Sequence, residues 1–189
     1  YINNKIRYCL WLVNISPSKY RNIHPIMERL ERVVKCRRQS PTSSVQRNAE
    51  TPMLFTQIRQ PQSQYLAMPE VSSSKRKYIP FGYINPDVIG SNTLYIFGVM
   101  ISNVHMAWAR TVGGRLKSDY RYTPAIYNNF PWPTPTDEQK AKIEQTSQAI
   151  LDARDLYPDA SLADLYDPAT MPPELVKAHQ QNDKAVMRA

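Results

Sequence analysis

Gly98-Val99-Met100-Ile101-Ser102-Asn103-Val104-His105-Met106-Ala107-Trp108-Ala109-Arg110-Thr111-Val112-Gly113-Gly114-Arg115-Leu116-Lys117-Ser118-Asp119-Tyr120-Arg121-Tyr122 changes its periodicity in mid-stretch. Ile101, Val104, His105, Trp108 and Val112 form one helical stripe, and Gly113-Gly114 can end the helix. His105 lies on that stripe, so it reads as a packed core histidine rather than a catalytic one. Beyond Gly114 the pattern is extended, and alternation puts Arg115, Lys117, Asp119 and Arg121 on one side with Leu116, Tyr120 and Tyr122 on the other. A helix leading into a strand that presents cations on one face predicts an α+β fold with a basic surface.

Toward the C-terminus, Asn128-Asn129-Phe130-Pro131-Trp132-Pro133 stiffens the chain into an extended connector. Thr136 then opens a helix, with Gln139 three residues on completing a capping box. Ile143, Ile150, Ala153 and Tyr157 supply its apolar face, which needs cover from the body of the protein. Shorter helices are expected at 161–166, started by Ser161, and from Pro172 or Pro173 to about residue 187. Charge marks the same boundary. Residues 1–136 carry 18 Lys and Arg against 6 Asp and Glu, a net of +12, whereas residues 137–189 carry 6 against 10, a net of −4. A basic body with an acidic end suits a polyanion-binding module joined to a protein-contacting element.

Toward the N-terminus, Arg7 to Val13 is short, aromatic and apolar and reads as a strand ending at Asn14 and Pro17. From Pro25, Ile26, Leu30, Val33, Val34 and Arg37 recur at helical spacing, and Lys35-Cys36-Arg37-Arg38 suits the negative end of that helix. Residues 39–70 are rich in Ser, Thr, Gln and Pro, so short strands, including Met53-Leu54-Phe55 and Tyr65 to Met68, are expected between long loops. Ser72-Ser73-Ser74-Lys75-Arg76-Lys77 precedes a further expected strand, Tyr78 to Ile84, and its hydroxyls beside three cations suit phosphate contacts. The fold expected from these readings is α+β, with a small twisted mixed sheet, packed helices and long loops over 1–136 and an α-helical tail over 137–189.

Composition excludes several classes. No apolar stretch is long enough for a membrane span. Cys9 and Cys36 are too few for a disulfide framework, which makes the cytosol the expected compartment. With His24, His105 and His179 they show no zinc-ligand spacing, so no metal site is expected. The catalytic loop of amino-methyltransferases, Asn-Pro-Pro-aromatic or Asp-Pro-Pro-Tyr, is absent: Asp87 follows Asn85-Pro86, and Pro172-Pro173 lies between Met171 and Glu174. The five dispersed glycines build no cofactor loop.

The segment Ser102 to Pro133, in particular His105-Met106-Ala107-Trp108, Gly114 to Tyr122 and Asn128 to Pro133, resembles the target-recognition domain of MmeI-like DNA methyltransferases. Leu162 to Pro168, Met171 to Leu175 and Ala178 to Asp183 resemble the helical C-terminal element of the same family, and Arg7 to Leu12 also has its look. The resemblance spans essentially the whole chain. One departure is Ser72-Ser73-Ser74-Lys75-Arg76, where relatives commonly carry Ser-Ser-Glu-Arg-Arg, so no base contact carries over to position 74 while the phosphate reading of Lys75 and Arg76 stands.

The resemblance implies a module recognising double-stranded DNA within a larger bacterial, cytoplasmic enzyme. That enzyme would transfer methyl from S-adenosylmethionine to adenine, and its catalytic domain would lie upstream of residue 1. This chain is expected to hold no catalytic or cofactor-binding residue. Lys75, Arg76, Lys77 and Lys117 are expected to position phosphates, and Arg115, Ser118, Arg121 and Tyr122 to meet bases or the groove. Two alternatives stay open. A non-enzymatic RNA-binding module could use the same basic, tyrosine-rich surface, and a metal-dependent nuclease could use Pro86-Asp87 with Glu138-Gln139-Lys140.

Overall fold

The computed structural model describes residue 3 and residues 8–58, 64–84 and 91–189. They divide into two compact units, one within residues 7–61 and the other within residues 62–189 together with residue 3.

The first unit is built on α1 (His24–Arg38), whose first turn holds Pro25 where no intrahelical donor is needed. Leu30 is its buried residue, and Leu12 and Tyr20 join it with Leu10, Ile26, Met27 and Met53 packed around them. The basic last turn does more than answer the helix dipole. Arg37 leaves the helix to donate to the carbonyls of Asn48 (2.6 Å), Thr51 (3.0 Å) and Leu54 (2.7 Å), clasping the segment after α2 (Ser43–Arg47). The strands expected at 7–13 and at Met53–Phe55 do not form among the described residues. A strand needs a ladder partner, and the intervening chain has become helix and turn. Trp11 and Phe55 meet through their rings instead, 5.5 Å apart.

The second unit joins two small sheets to a helical core. β1 (Tyr65–Ala67) pairs antiparallel with β3 (Gly82–Ile84). β2 (Val71–Ser72) and β4 (Gly114–Leu116) flank β5 (Asp119–Arg121), also antiparallel. The small sheet expected to be mixed is thus divided in two, and every described pairing is antiparallel. The strand expected from Tyr78 keeps only its last three residues. Pro80 cannot donate to a ladder, and Tyr78, Ile79 and Phe81 are all buried in the core instead of alternating.

The helix expected after Gly98 is two helices. α3 (Ser91–Ile101) is buried continuously from Phe97 to Ile101. Such a segment has no polar face, which is why periodicity hides its start. Ser102 breaks the run, donating to the carbonyl of Val99 (2.6 Å) and accepting from the amide of His105 (3.3 Å), so it caps α4 (Asn103–Val112). A short helix, α5 (Pro124–Asn128), follows. The capping box of Thr136 and Gln139 then opens α6 (Asp137–Asp155), Ser161 and Asp164 cap α7 (Leu162–Leu165), and Pro173 starts α8 (Pro173–Val186).

The acidic tail is docked: α6 packs on α3 and α8, with Ile143 and Ile150 fully buried. Residues on both sides of position 136 therefore share one compact unit. At the crossing, a Cβ built on Gly98 would lie 2.0 Å from Ser147 Oγ and 2.8 Å from Ile143 Cγ2. Gly98→Ala is therefore expected to cost about 2 kcal/mol through overpacking, read as a lower denaturant midpoint at unchanged slope. Wild-type stability in that variant would show that the helices separate without cost.

Polar groups lock α8 into this core. Asn182 donates to the carbonyl of Gly98 (2.7 Å) and accepts from Thr146 (3.1 Å). Asp183 accepts from the Tyr78 hydroxyl (2.7 Å) and from the amide of Asn103 (2.8 Å), the first residue of α4. The Tyr166 hydroxyl accepts from buried Arg154 (3.1 and 2.5 Å) and lies 2.8 Å from His179 Nε2. Its own proton is free for that nitrogen, which leaves the imidazole neutral. His179 in turn stacks on Tyr78, 4.0 Å between ring centres.

Candidate nucleic-acid interface

The sheet β2–β5–β4 and the turn after β2 bring the expected contact residues into one neighbourhood, although not in the expected geometry. The cationic stretch is a hairpin rather than one strand: β4 ends at Leu116, β5 begins at Asp119, and Lys117-Ser118 form the tip. Lys117 takes a left-handed backbone conformation, φ 57°, uncommon for a residue with a Cβ. The turn abolishes the continuous alternation. Cross-strand partners share a face, so Arg115, Tyr120 and Ser72 lie on one side, whereas Arg121, Gly114 and Val71 lie on the other with Leu116 and Asp119. The expectation that Arg115, Lys117 and Arg121 point together is therefore overturned.

Each side chain can now be placed. Lys117 and Ser118 are exposed at the tip. Arg115 is exposed but engaged, donating to the carbonyl of Ser118 (3.1 Å) and the Tyr120 hydroxyl (3.2 Å), with its guanidinium 4.4 Å from the Tyr120 ring. Arg121 pairs with Glu70 at 2.8–2.9 Å. Both partners are more than half exposed, so that pair adds little stability and can exchange for another anion.

Tyr122 is buried at 5% exposure, with its hydroxyl 2.7 Å from His105 Nε2 and its ring edge-on to Phe81. It supports the hairpin from behind and does not reach the surface. Burial raises its hydroxyl pKa above the ordinary range and lowers that of His105 to about 4, so this pair is neutral and hydrogen-bonded rather than a proton-transfer device.

The basic turn docks beside the hairpin. The amide of Arg76 donates to the carbonyl of Ser73 (3.1 Å), that of Lys75 to Ser73 Oγ (3.3 Å), and that of Ser74 to Asp119 Oδ1 of β5 (3.3 Å). Lys75 and Lys77 are exposed and Arg76 is half-buried. Lys77 Nζ lies 5.4 Å from the ring centre of Tyr78, whose burial anchors the end of the turn. Sequence reasoning missed Arg110. From the last turn of α4 it donates to the carbonyls of both Arg76 (3.0 Å) and Lys77 (2.9 Å), and it lies 5.9 Å from the Tyr120 ring. A lone basic residue near a helix C-terminus gives no sequence signal beyond its dipole preference.

The arrangement offers exposed cations and hydroxyls from two adjoining turns, the combination that contacts phosphates and base edges. Of the nuclease residues, Glu138 and Lys140 fall in the first turn of α6, and Asp87 lies outside the described residues. Among the described residues no group of three or more His, Cys, Asp or Glu could hold a metal ion.

The family model for the MmeI target recognition domain matches residues 1–134, and that for the MmeI C-terminal domain matches residues 135–189. DNA methyltransferase A of Bacillus subtilis (strain 168) is 37% identical over 198 residues, covering 100% of this chain and 22% of that protein. The Type IIL restriction-modification enzyme MmeI, solved in complex with DNA, superposes with a TM-score of 0.93 at 45% identity, over 99% of this chain and 26% of that one. The chain thus spans about a quarter of the length of these relatives.

Proposed function

Because the chain belongs to the family of MmeI target recognition and C-terminal domains, we propose that it recognises a double-stranded DNA sequence and positions an upstream domain that methylates adenine. That domain, in the same bacterial cytoplasmic polypeptide, would bind S-adenosylmethionine and flip the target base. In this reading residues 1–136 perform recognition and residues 137–189 brace it. The observation that carries the proposal is the joining of two basic turns, 73–77 and 117–118, on one three-stranded sheet, in a chain similar throughout to an enzyme solved with DNA.

Lys75, Arg76, Lys77 and Lys117 hold phosphates. Arg115, Ser118 and Arg121 are placed for groove or base contact, with Tyr122 setting the hairpin's position from the core. Because Arg115 and Arg121 leave opposite faces of the hairpin, a groove that receives the tip can meet both along its walls. No helix among the described residues is long and apolar enough to cross a membrane.

The test is duplex binding by the full chain across a salt series. Lys75→Ala, Lys77→Ala and Lys117→Ala together remove three exposed cations, and the slope of log affinity against log salt is expected to flatten by about 0.9 for each phosphate that is no longer neutralised. An unchanged slope in the folded triple variant would move the interface elsewhere. Equal or tighter binding of single-stranded RNA would favour the RNA-binding alternative. Calorimetry of this chain with S-adenosylmethionine is expected to be silent, and a saturable, stoichiometric heat would overturn the assignment of cofactor binding to the upstream domain.

A further inference from the structure

We propose that Arg110 is a positioning residue for DNA recognition, fixing the backbone of the basic turn so that Lys75, Arg76 and Lys77 leave it in set directions. The inference rests on the DNA reading above and goes beyond its contact residues. One guanidinium nitrogen of Arg110 spends its two protons on successive carbonyls, those of Arg76 (3.0 Å) and Lys77 (2.9 Å). These carbonyls belong to the residues whose side chains are to meet phosphate. The fork stands on a rigid base, since α4 is capped at its other end by Ser102 and by the carboxylate of Asp183.

Tyr120 completes the device. Its ring lies 5.9 Å from the guanidinium of Arg110 and 4.4 Å from that of Arg115, so one aromatic ring links the clamp on the turn to the hairpin. Ser74 and Asp119 join the same two segments through a second bond (3.3 Å). Turn, hairpin and helix are thus tied at a single exposed arginine. A planar, permanently charged fork suits this task better than a flexible ammonium, because less freedom is lost for each bond made. An ordered turn binds phosphate more tightly than a loose one because the ordering cost falls before binding.

Two measurements on the full chain test the role. Without DNA, Arg110→Met is expected to speed amide hydrogen exchange across residues 73–78 while leaving α6 and α8 unchanged. With duplex DNA, the same substitution is expected to weaken binding about tenfold, the scale of one missing charge-assisted hydrogen bond. In a background already carrying Lys75→Ala, Arg76→Ala and Lys77→Ala its effect should largely vanish, since the cations it positions are gone. Unchanged exchange in the turn, or an equal loss in both backgrounds, would overturn the positioning role and leave Arg110 a plain contact or a bystander. A wild-type chain that binds no duplex, whatever its exchange pattern, would overturn the DNA reading itself.

Discussion

Replacing Asp183 with Ala is expected to lower the unfolding free energy by about 4 kcal/mol, because one carboxylate serves two buried donors and each bond to a charged acceptor contributes about 1.5–3 kcal/mol. Asp183 is 6% exposed. One oxygen accepts from the Tyr78 hydroxyl at 2.7 Å, and the other from the amide of Asn103 at 2.8 Å. The second donor is the first residue of α4, where the helix dipole adds to the attraction. An alanine leaves both donors dry. The hydroxyl of Tyr78 is already held far above its ordinary pKa, first by burial and then by Asp183, so it cannot escape the loss by ionising. The check is chemical denaturation of the single variants Asp183→Ala and Tyr78→Phe and of the double variant. The two losses should be strongly non-additive. A drop of less than about 1 kcal/mol in Asp183→Ala would mean that water replaces the carboxylate at no cost.

Acid is expected to destabilise the chain through its two core histidines. His105 and His179 are both fully buried, and the Nδ1 of each finds no hydrogen-bond partner among the described residues. Burial lowers the pKa of His105 to about 4. Burial also pulls that of His179 well below its ordinary value, helped by the charges of Arg154 and Lys77. In the unfolded chain both titrate near the free value of about 6.5. Between the two pKa values the unfolded state binds the proton and the folded state refuses it, so stability is complete above about pH 6.5 and is lost as pH falls. By pH 5, His105 alone should have cost about 2 kcal/mol, and by pH 4 about 3 kcal/mol. Denaturation midpoints taken from pH 7.5 to pH 4.5 measure this. His105→Gln keeps a hydrogen-bonding group for Tyr122 but cannot titrate, and its curve should be flatter. Equal pH slopes in the two proteins would remove His105 from the account.

Much of the architecture could be read from local signals. Proline at the start of α1, the capping box of α6, Ser161 at the start of α7, and the glycines after α4 are short-range features, and the structure contains them as expected. What escaped depends on distant partners or on an absent signal. Lys117-Ser118 carries none of the Asn-Gly or Asp-Gly chemistry that marks a tight hairpin, and a lysine at φ 57° runs against propensity, so the stretch read as one strand. Tyr122 shares the alternating pattern of its neighbours, yet it turns inward because His105 offers its hydroxyl a partner. The strand expected near Trp11 had the right composition and no ladder to join. The candidate interface was legible in its residue types and misread in its faces. Arg110 and Asp183, which hold the basic turn and the start of α4, act across 33 and 80 positions of sequence.

The bond between Asp183 and Asn103 also has a place in time. At ordinary rates of protein synthesis, about 5–20 residues per second, a ribosome needs roughly 4–16 s to travel the 80 residues that separate them. During that interval Tyr78 and the start of α4 exist without the carboxylate that later receives both. The helix bearing the clamp on the basic turn is therefore secured only by a segment translated 80 residues after it. A nascent chain interrupted before residue 183 carries every cation of the proposed interface but cannot complete the anchor beneath it, so the fold itself ties binding competence to finished synthesis of this region.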